Sequence, residues 1–177
     1  MERPGTRIIE VVDYDAGWPA RFEEEANLLG GALGSVAHEI HHVGSTAVPG
    51  LAAKPIIDIL LEVTGLSALD ALNEALAQIG YLPWGEHGIP QRRFFSKGDA
   101  RRTHNLHAFP TGDAGVIRHL AFRDYLVAHP QIADEYAQLN KRVALSCDHD
   151  IERYCAGKDA FVKAHEARAL QALTTGA

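Results

Sequence analysis

The chain has little that would tie it to a membrane, an oxidising compartment or a nucleic-acid backbone. Of its 177 residues only two are cysteines, Cys147 and Cys155. On one helix, eight residues would set them about 12 Å apart at ~1.5 Å per residue, too far for a disulfide. Their spacing is no zinc signature, so both read as reduced thiols, the usual state in the cytosol. No apolar run approaches the ~20 residues that cross a bilayer. The stretch from Met1 to Asp15 lacks the apolar core of a signal peptide. These absences predict a cytoplasmic protein that is not a membrane partner. An excess of basic residues is missing too: the net charge is -6, which argues against general nucleic-acid binding. With no repeat, low-complexity tract or linker, residues 1–177 read as a single domain, long enough to bury a real core.

The apolar pattern predicts α/β (α+β) architecture, with a mixed sheet flanked by helices and a helical C-terminal third. Ile8 to Val12 reads as a short strand. Gly17-Trp18-Pro19 opens a helix, with Pro19 in its first turn and Glu23, Glu24 and Glu25 following. That helix should stop near Gly30-Gly31 or Gly34. Val36 to Val43 and the Ile/Leu/Val-dense Ile56 to Val63 read as strands, the second buried on both faces. One helix should run from an N-cap at Ser67 to Gly80. Three strands separated by glycine turns fill Tyr81 to Phe109. Helices follow Gly112, broken at Pro130 and again around Cys147 to Asp150, and the chain from Thr174 to Ala177 should fray.

The densest chemical signal runs from His42 to Ile59. A Gly44-Ser45 pair ends one strand and opens a loop that turns at Pro49-Gly50. Thirteen residues after Ser45, a lone carboxylate, Asp58, sits in an otherwise apolar strand, where burial is costly unless it is paired. A Gly-Ser turn offers N–H groups and a hydroxyl to an anion. Together they predict a site for a small phosphorylated or anionic ligand. It is not a P-loop: five residues separate Gly44 from Gly50, Leu51 follows, and Lys54 is displaced. The layout instead matches the nucleotidyltransferase superfamily, where the turn holds phosphates and an Asp-x-Asp pair on the next strand holds divalent metal. Carboxylates at i and i+2 share a face about 6.6 Å apart and can hold two metals. Here the second position is Leu60. Glu62 shares the face but lies about 13 Å along the strand. The site is therefore one-metal, completed from another strand, or no longer a transfer site. The plainer alternative is a capped turn with Asp58 paired to Lys54 or an arginine.

Of ten histidines, His42 immediately precedes the turn and reads as orienting it. Asn105 and His107 share a face of a later strand. If that strand lies beside Asp58, His107 supplies the ligand that Leu60 cannot, or acts as a proton acceptor. Otherwise it is a structural hydrogen-bonder. Arg92, Arg93, Lys97, Arg101 and Arg102 form a basic stretch suited to phosphate or carboxylate. Alternation lets at most one of Arg92 and Arg93 face the pocket. Asp148 or Asp150 reads as a helix cap rather than half of a metal-phosphohydrolase motif. No Gly-x-Ser-x-Gly elbow occurs.

In these residues the chain resembles the GrpB family (UPF0157-type proteins). The resemblance runs from about Ile9 to Ala167 and is most specific from His42 through Ile59. Gly80-Tyr81, Arg92-Arg93-Phe94-Phe95, Leu106-His107, Leu120 to Leu126, His129-Pro130, Tyr136-Ala137, Tyr154 and Lys158 continue it in order. It implies a nucleotidyltransferase-like fold, and the family also occurs fused to a dephospho-CoA kinase. From the residues themselves, and not from the resemblance, Asp58 and His107 are expected to be catalytic, with Asp58, Asn105 and His107 as the candidate ligands for Mg or Mn. His42, Gly44, Ser45, Thr46, Lys54, Arg92 and Arg93 bind the phosphorylated substrate. Asn105 departs from the family, where that position is often His, which weakens a two-histidine metal site. Nucleotidyl or phosphoryl transfer to a small molecule is one expectation. A catalytically inactive module for a nucleotide, a CoA compound or another anion is the other.

Overall fold

The computed structural model describes residues 7–176. Residues 1–6, part of the stretch read for a signal peptide, and Ala177, part of the segment expected to fray, lie outside the described residues. In chain order the elements are α1 (Trp18–Leu33), β1 (Ala37–Val43), β2 (Ile57–Val63), α2 (Leu66–Asp70), α3 (Asn73–Gln78), β3 (Tyr81–Pro83), β4 (Arg93–Lys97), β5 (His104–Pro110), α4 (Ala114–Ala128), α5 (Pro130–Ser146) and α6 (Ile151–Thr175). The five strands form one mixed sheet in the order β1-β2-β5-β4-β3. Only the β2–β5 pair is parallel, so the α/β architecture with a helical C-terminal third is as expected.

Strand alternation divides the core. Ile57, Ile59, Leu61 and Val63 of β2, with Leu106 and Ala108 of β5, face the main core. They meet Trp18, Phe22, Leu29 and Leu33 of α1, the helical stripe that the sequence spaces three to four residues apart. Glu25 sits in this stripe, where it accepts hydrogen bonds from Tyr81 Oη (2.8 Å) and Lys97 Nζ (2.7 Å). A buried carboxylate needs such partners. The opposite sheet face carries Asp58, Leu60, Asn105, His107 and Phe109. There α4 covers the β1–β2 half, where Val43, Leu60, Phe109 and Val116 pack together.

Three local expectations change. Residues 8–12 are not a strand; a single antiparallel bridge joins Val12 to Ala53. Ile9 packs on Cys147 and Tyr154, and its N–H donates to His149 Nδ1 (3.0 Å), so the helical layer holds this segment. The helix expected from Ser67 starts after Gly65 and divides into α2 and α3. At the division Leu72 N donates to Leu69 O, a tight i→i−3 bond. At the C-terminus, α6 continues to Thr175, and the hydroxyls of Thr174 and Thr175 both reach Gln171 O. Gly30 and Gly31 lie inside α1, which ends at Gly34, where φ is 53°. Pro130 starts α5, and Asp150 caps α6 by accepting from the N–H groups of Glu152 and Arg153. The cysteines lie on different segments, Cys147 at the end of α5 and Cys155 in α6, and both are free.

Candidate functional site

The turn after β1 is built around Gly44, whose φ of 74° and ψ of -172° are essentially open only to glycine. Ser45 to Ala47 then make one 3₁₀ turn. His42 holds it from below: Nε2 lies 2.9 Å from Thr46 Oγ1, and the ring stacks on Phe22 at 4.9 Å. Beyond the turn, Val48 and Leu51 pack against Leu126, Ala133 and Tyr136. The fully buried Asn140 donates Nδ2–H to Ala52 O (3.1 Å). Thus α4 and α5 fix the loop between the turn and β2.

Register sets the rest. Asp58 of β2 lies beside Asn105 of β5, and Leu60 beside His107. His107 Nε2 is 3.3 Å from Asp58 Oδ1, while its Nδ1 faces Arg92 Nη1 at 3.5 Å. A guanidinium can only donate, so Nδ1 accepts, and Nε2 carries the proton given to Asp58. Burial acts to raise the Asp58 carboxyl. The hydrogen bond from His107, then Lys54 and Asn105, outweigh it and hold the group below its ordinary value. Asp58 is therefore an anion at neutral pH.

This carboxylate opens into a cavity of about 200 Å3 lined by Ser45, Thr46, Ala53, Lys54, Ile56, Asp58, Asn105, Tyr154 and Lys158. The ammonium groups of Lys54 and Lys158 lie 4.7 and 4.6 Å from the centre of the Tyr154 ring. Burial, then the nearby Lys158, pushes Lys54 down to about 8. Two cations against one carboxylate leave a deficit of negative charge, which an anion would fill.

The structure thus gathers Ser45, Thr46, Lys54, Asp58 and Asn105 of the expected set, with Gly44 directly behind Asp58. It places four others elsewhere. His42 supports the turn from the main-core face. His107 stands behind Asp58 with both nitrogens engaged. Arg92 is buried and gives its guanidinium to the carbonyls of Glu86 (3.1 Å) and His87 (2.7 Å), which pins the β3–β4 loop. Arg93 points to the other face and forms a two-pronged ion pair with Asp70 (2.8 and 3.1 Å). Sequence reasoning missed Lys158 and Tyr154 as site residues. Both lie on α6, and nothing in local spacing brings them to a turn more than a hundred residues earlier.

A resident metal held by Asp58, Asn105 and His107 does not fit these donors. Among the described residues no three His, Cys, Asp or Glu side chains form a metal-binding group. A metal-bound imidazole normally donates its second N–H to an acceptor, whereas His107 Nδ1 meets a donor and Nε2 has no free lone pair. The position of a second acid is filled by Leu60, fully buried against Val43, Phe109 and Val116. Glu62 is engaged elsewhere, with His41 (2.7 Å).

Burial lowers two imidazoles near the site, His42 and His119, to about 4. In the unfolded chain they take up a proton at about 6.5. Between those values the unfolded state binds more protons, so stability should fall as pH drops from about 6.5 towards 4. Allowing for residual exposure, each is worth about 2 kcal/mol. Urea midpoints at pH 7 and pH 4.5 check this. The gap between them should narrow in His42→Gln and in His119→Gln, and an unchanged gap in both would contradict the assignment.

The sequence profile of the family described as GrpB protein matches residues 8–168. The chain is 44% identical to UPF0157 protein YqkA of Bacillus subtilis over 92% of its own length, and spans 48% of that longer relative. A more distant relative, the Dephospho-CoA kinase of Mycolicibacterium paratuberculosis, is 32% identical over 88% of this chain and 44% of its own. The crystal structure of conserved protein GrpB from Enterococcus faecalis superposes with a TM-score of 0.87 at 42% identity. It covers 92% of this chain and 98% of that one.

Proposed function

The chain belongs to the GrpB family, and from that premise we propose that the cavity beside Asp58 binds the phosphate groups of a small molecule and transfers a phosphoryl or nucleotidyl group to a small acceptor. One observation carries this reading: Lys54, Lys158, Ser45 and Thr46 line one small cavity together with the low-pKa carboxylate of Asp58. The lysines neutralise phosphate charge, and positive groups fixed in place also stabilise charge that develops on a transferring phosphoryl group. Asp58, an anion at neutral pH, accepts the hydrogen bond of the attacking hydroxyl. His107 orients that carboxylate from behind. The nucleotidyltransferase-like layout of turn, strand and acid supports the same chemistry. A cation carried in by the ligand's own phosphates needs only one or two protein carboxylates, so Mg and Mn belong in the test.

A second reading, binding without transfer, draws on Leu60, which removes the second acid of a two-metal centre. The kinase name of the mycobacterial relative adds CoA compounds to the candidate ligands.

The experiment is a thermal-shift and calorimetric titration with tripolyphosphate, nucleoside triphosphates and CoA compounds, each with and without Mg or Mn. Binding should raise the midpoint. Because a bound anion favours protonated Lys54, binding at pH 8.5 should take up a proton, seen as a heat that depends on the buffer. Lys54→Met should lose both the uptake and most of the affinity. Product formation separates transfer from binding. No shift with any phosphorylated ligand would remove both readings.

A further inference from the structure

The site face does not end at Asn105. Across the sheet the residues in line with Asp58 are Asn105 on β5, Ser96 on β4 and Leu82 on β3. In the neighbouring line stand His107, Phe94 and Trp84. Trp84 continues β3 through its N–H to Phe94 O (2.9 Å). Helix α4 stops short of this half, yet Ser96 and Phe94 are only 3% and 7% exposed. Side chains of the β3–β4 loop cover them. Trp84 Nε1 donates to Ser96 Oγ (2.8 Å), which brings the indole over Ser96. His87 stacks on Phe94 with ring centres 5.0 Å apart.

Two features make this a prepared surface. The loop is fixed: Arg92, itself buried, pins the carbonyls of Glu86 and His87, and Gln91 N–H donates to Glu86 Oε2 (2.6 Å). The indole is held by its nitrogen and still remains 46% exposed. A large aromatic ring held in place with one side wet is costly to leave bare and well suited to stacking. Arg102 joins the surface to the cavity. Its Nη1 donates to Asn105 Oδ1 (3.4 Å), its charge reaches His87, and its Nε is buried without a partner among the described residues. From Asp58 to Ser96 is two strand spacings, about 10 Å, a distance suited to a phosphate at one end and a base at the other.

We infer that the phosphorylated ligand is a nucleotide whose base stacks on Trp84, with Arg102 meeting the atoms between base and terminal phosphates. The inference rests on the phosphate reading of the cavity and adds the identity of the rest of the ligand. The base needs no hydrogen-bonded readout here, so stacking favours purines over pyrimidines by ring area alone.

The two tryptophans make the test direct, because Trp18 is fully buried and a change in intrinsic fluorescence reports Trp84. The probes are ATP and tripolyphosphate, which share the phosphate chain and differ in the nucleoside. ATP should quench the emission and bind at least tenfold more tightly than tripolyphosphate, the usual scale of one stacked base. In Trp84→Ala that preference should vanish while tripolyphosphate affinity stays the same. Trp84→Phe, read by calorimetry, should recover most of the preference and guards against a folding defect in the alanine variant. Equal affinity for the two probes in the wild type, or a preference that survives Trp84→Ala, overturns the inference while leaving the phosphate site standing. Failure of both probes to bind overturns the phosphate reading and this inference with it.

Discussion

Replacing Gly44 with alanine is expected to destabilise the fold by about 3 kcal/mol and to abolish phosphate binding. Two costs add. The backbone at residue 44 has φ 74° and ψ -172°, a region in which a side chain costs roughly 1–3 kcal/mol. The new Cβ would also lie 2.6 Å from Asp58 Oδ2 and 3.0 Å from Asp58 Cβ. The carboxylate cannot simply rotate away, because His107 holds its other oxygen. Either the turn lifts off the strand or Asp58 leaves its partners, and both outcomes distort the wall formed by Ser45 and Thr46. Gly50→Ala is the matched control. Its φ of 80° is also positive, but its Cβ would meet nothing within 4 Å. Urea midpoints and ligand titration of the two variants should separate strain from collision. Equal losses in both would show that the approach of Gly44 to Asp58 carries no weight.

Asp58→Asn is expected to split binding from chemistry. The amide keeps the shape and can still receive the His107 N–H through its oxygen, but the negative charge is gone. With Lys54 and Lys158 left unopposed, metal-free tripolyphosphate should bind as tightly as before or more tightly. Any enhancement of binding by Mg or Mn should disappear. Turnover of the true substrate should fall by about a hundredfold or more, the usual range for a positioned acid–base group. Stability should change with a definite pH signature. The folded carboxyl lies below its ordinary value, so its contribution is present above about pH 4 and is lost as pH falls through the folded pKa. The wild type and Asp58→Asn should therefore converge in stability at acid pH. Weaker metal-free phosphate binding in Asp58→Asn would mean that Asp58 organises the anion site instead of opposing it.

Much of this site was legible in the order of residues. A Gly-Ser turn after a strand and a single acid in an apolar strand are local patterns, and they lie together as spacing suggested. Strand alternation also put Asn105 and His107 on one face of their strand, and Asp58 with Glu62 on one face of theirs, because period 2 survives whatever the strand order. The parallel pairing of β2 with β5, which makes those faces one surface, depends on distant contacts that no local rule reports. Arginine placement depends on contacts of the same kind. Alternation allowed one of Arg92 and Arg93 to face the site, but the better partner for Arg92 was a pair of loop carbonyls, and for Arg93 an aspartate on α2. Residues 8–12 misled because an apolar run of five has the same pattern whether it joins a sheet or lies under helices. Lys158 was invisible as a site residue since a lysine on an amphipathic helix normally reads as solvated surface.

The position of Lys158 on α6 bears on when the lining of the cavity is complete. During synthesis, every described strand of the sheet and the whole Gly44–Asp58 segment are made before that lysine is added. A nascent chain that ends short of α6 carries Lys54 but lacks Tyr154 and Lys158 of the cavity lining. On the phosphate reading proposed above, anion recognition follows the making of α6 and not that of the sheet.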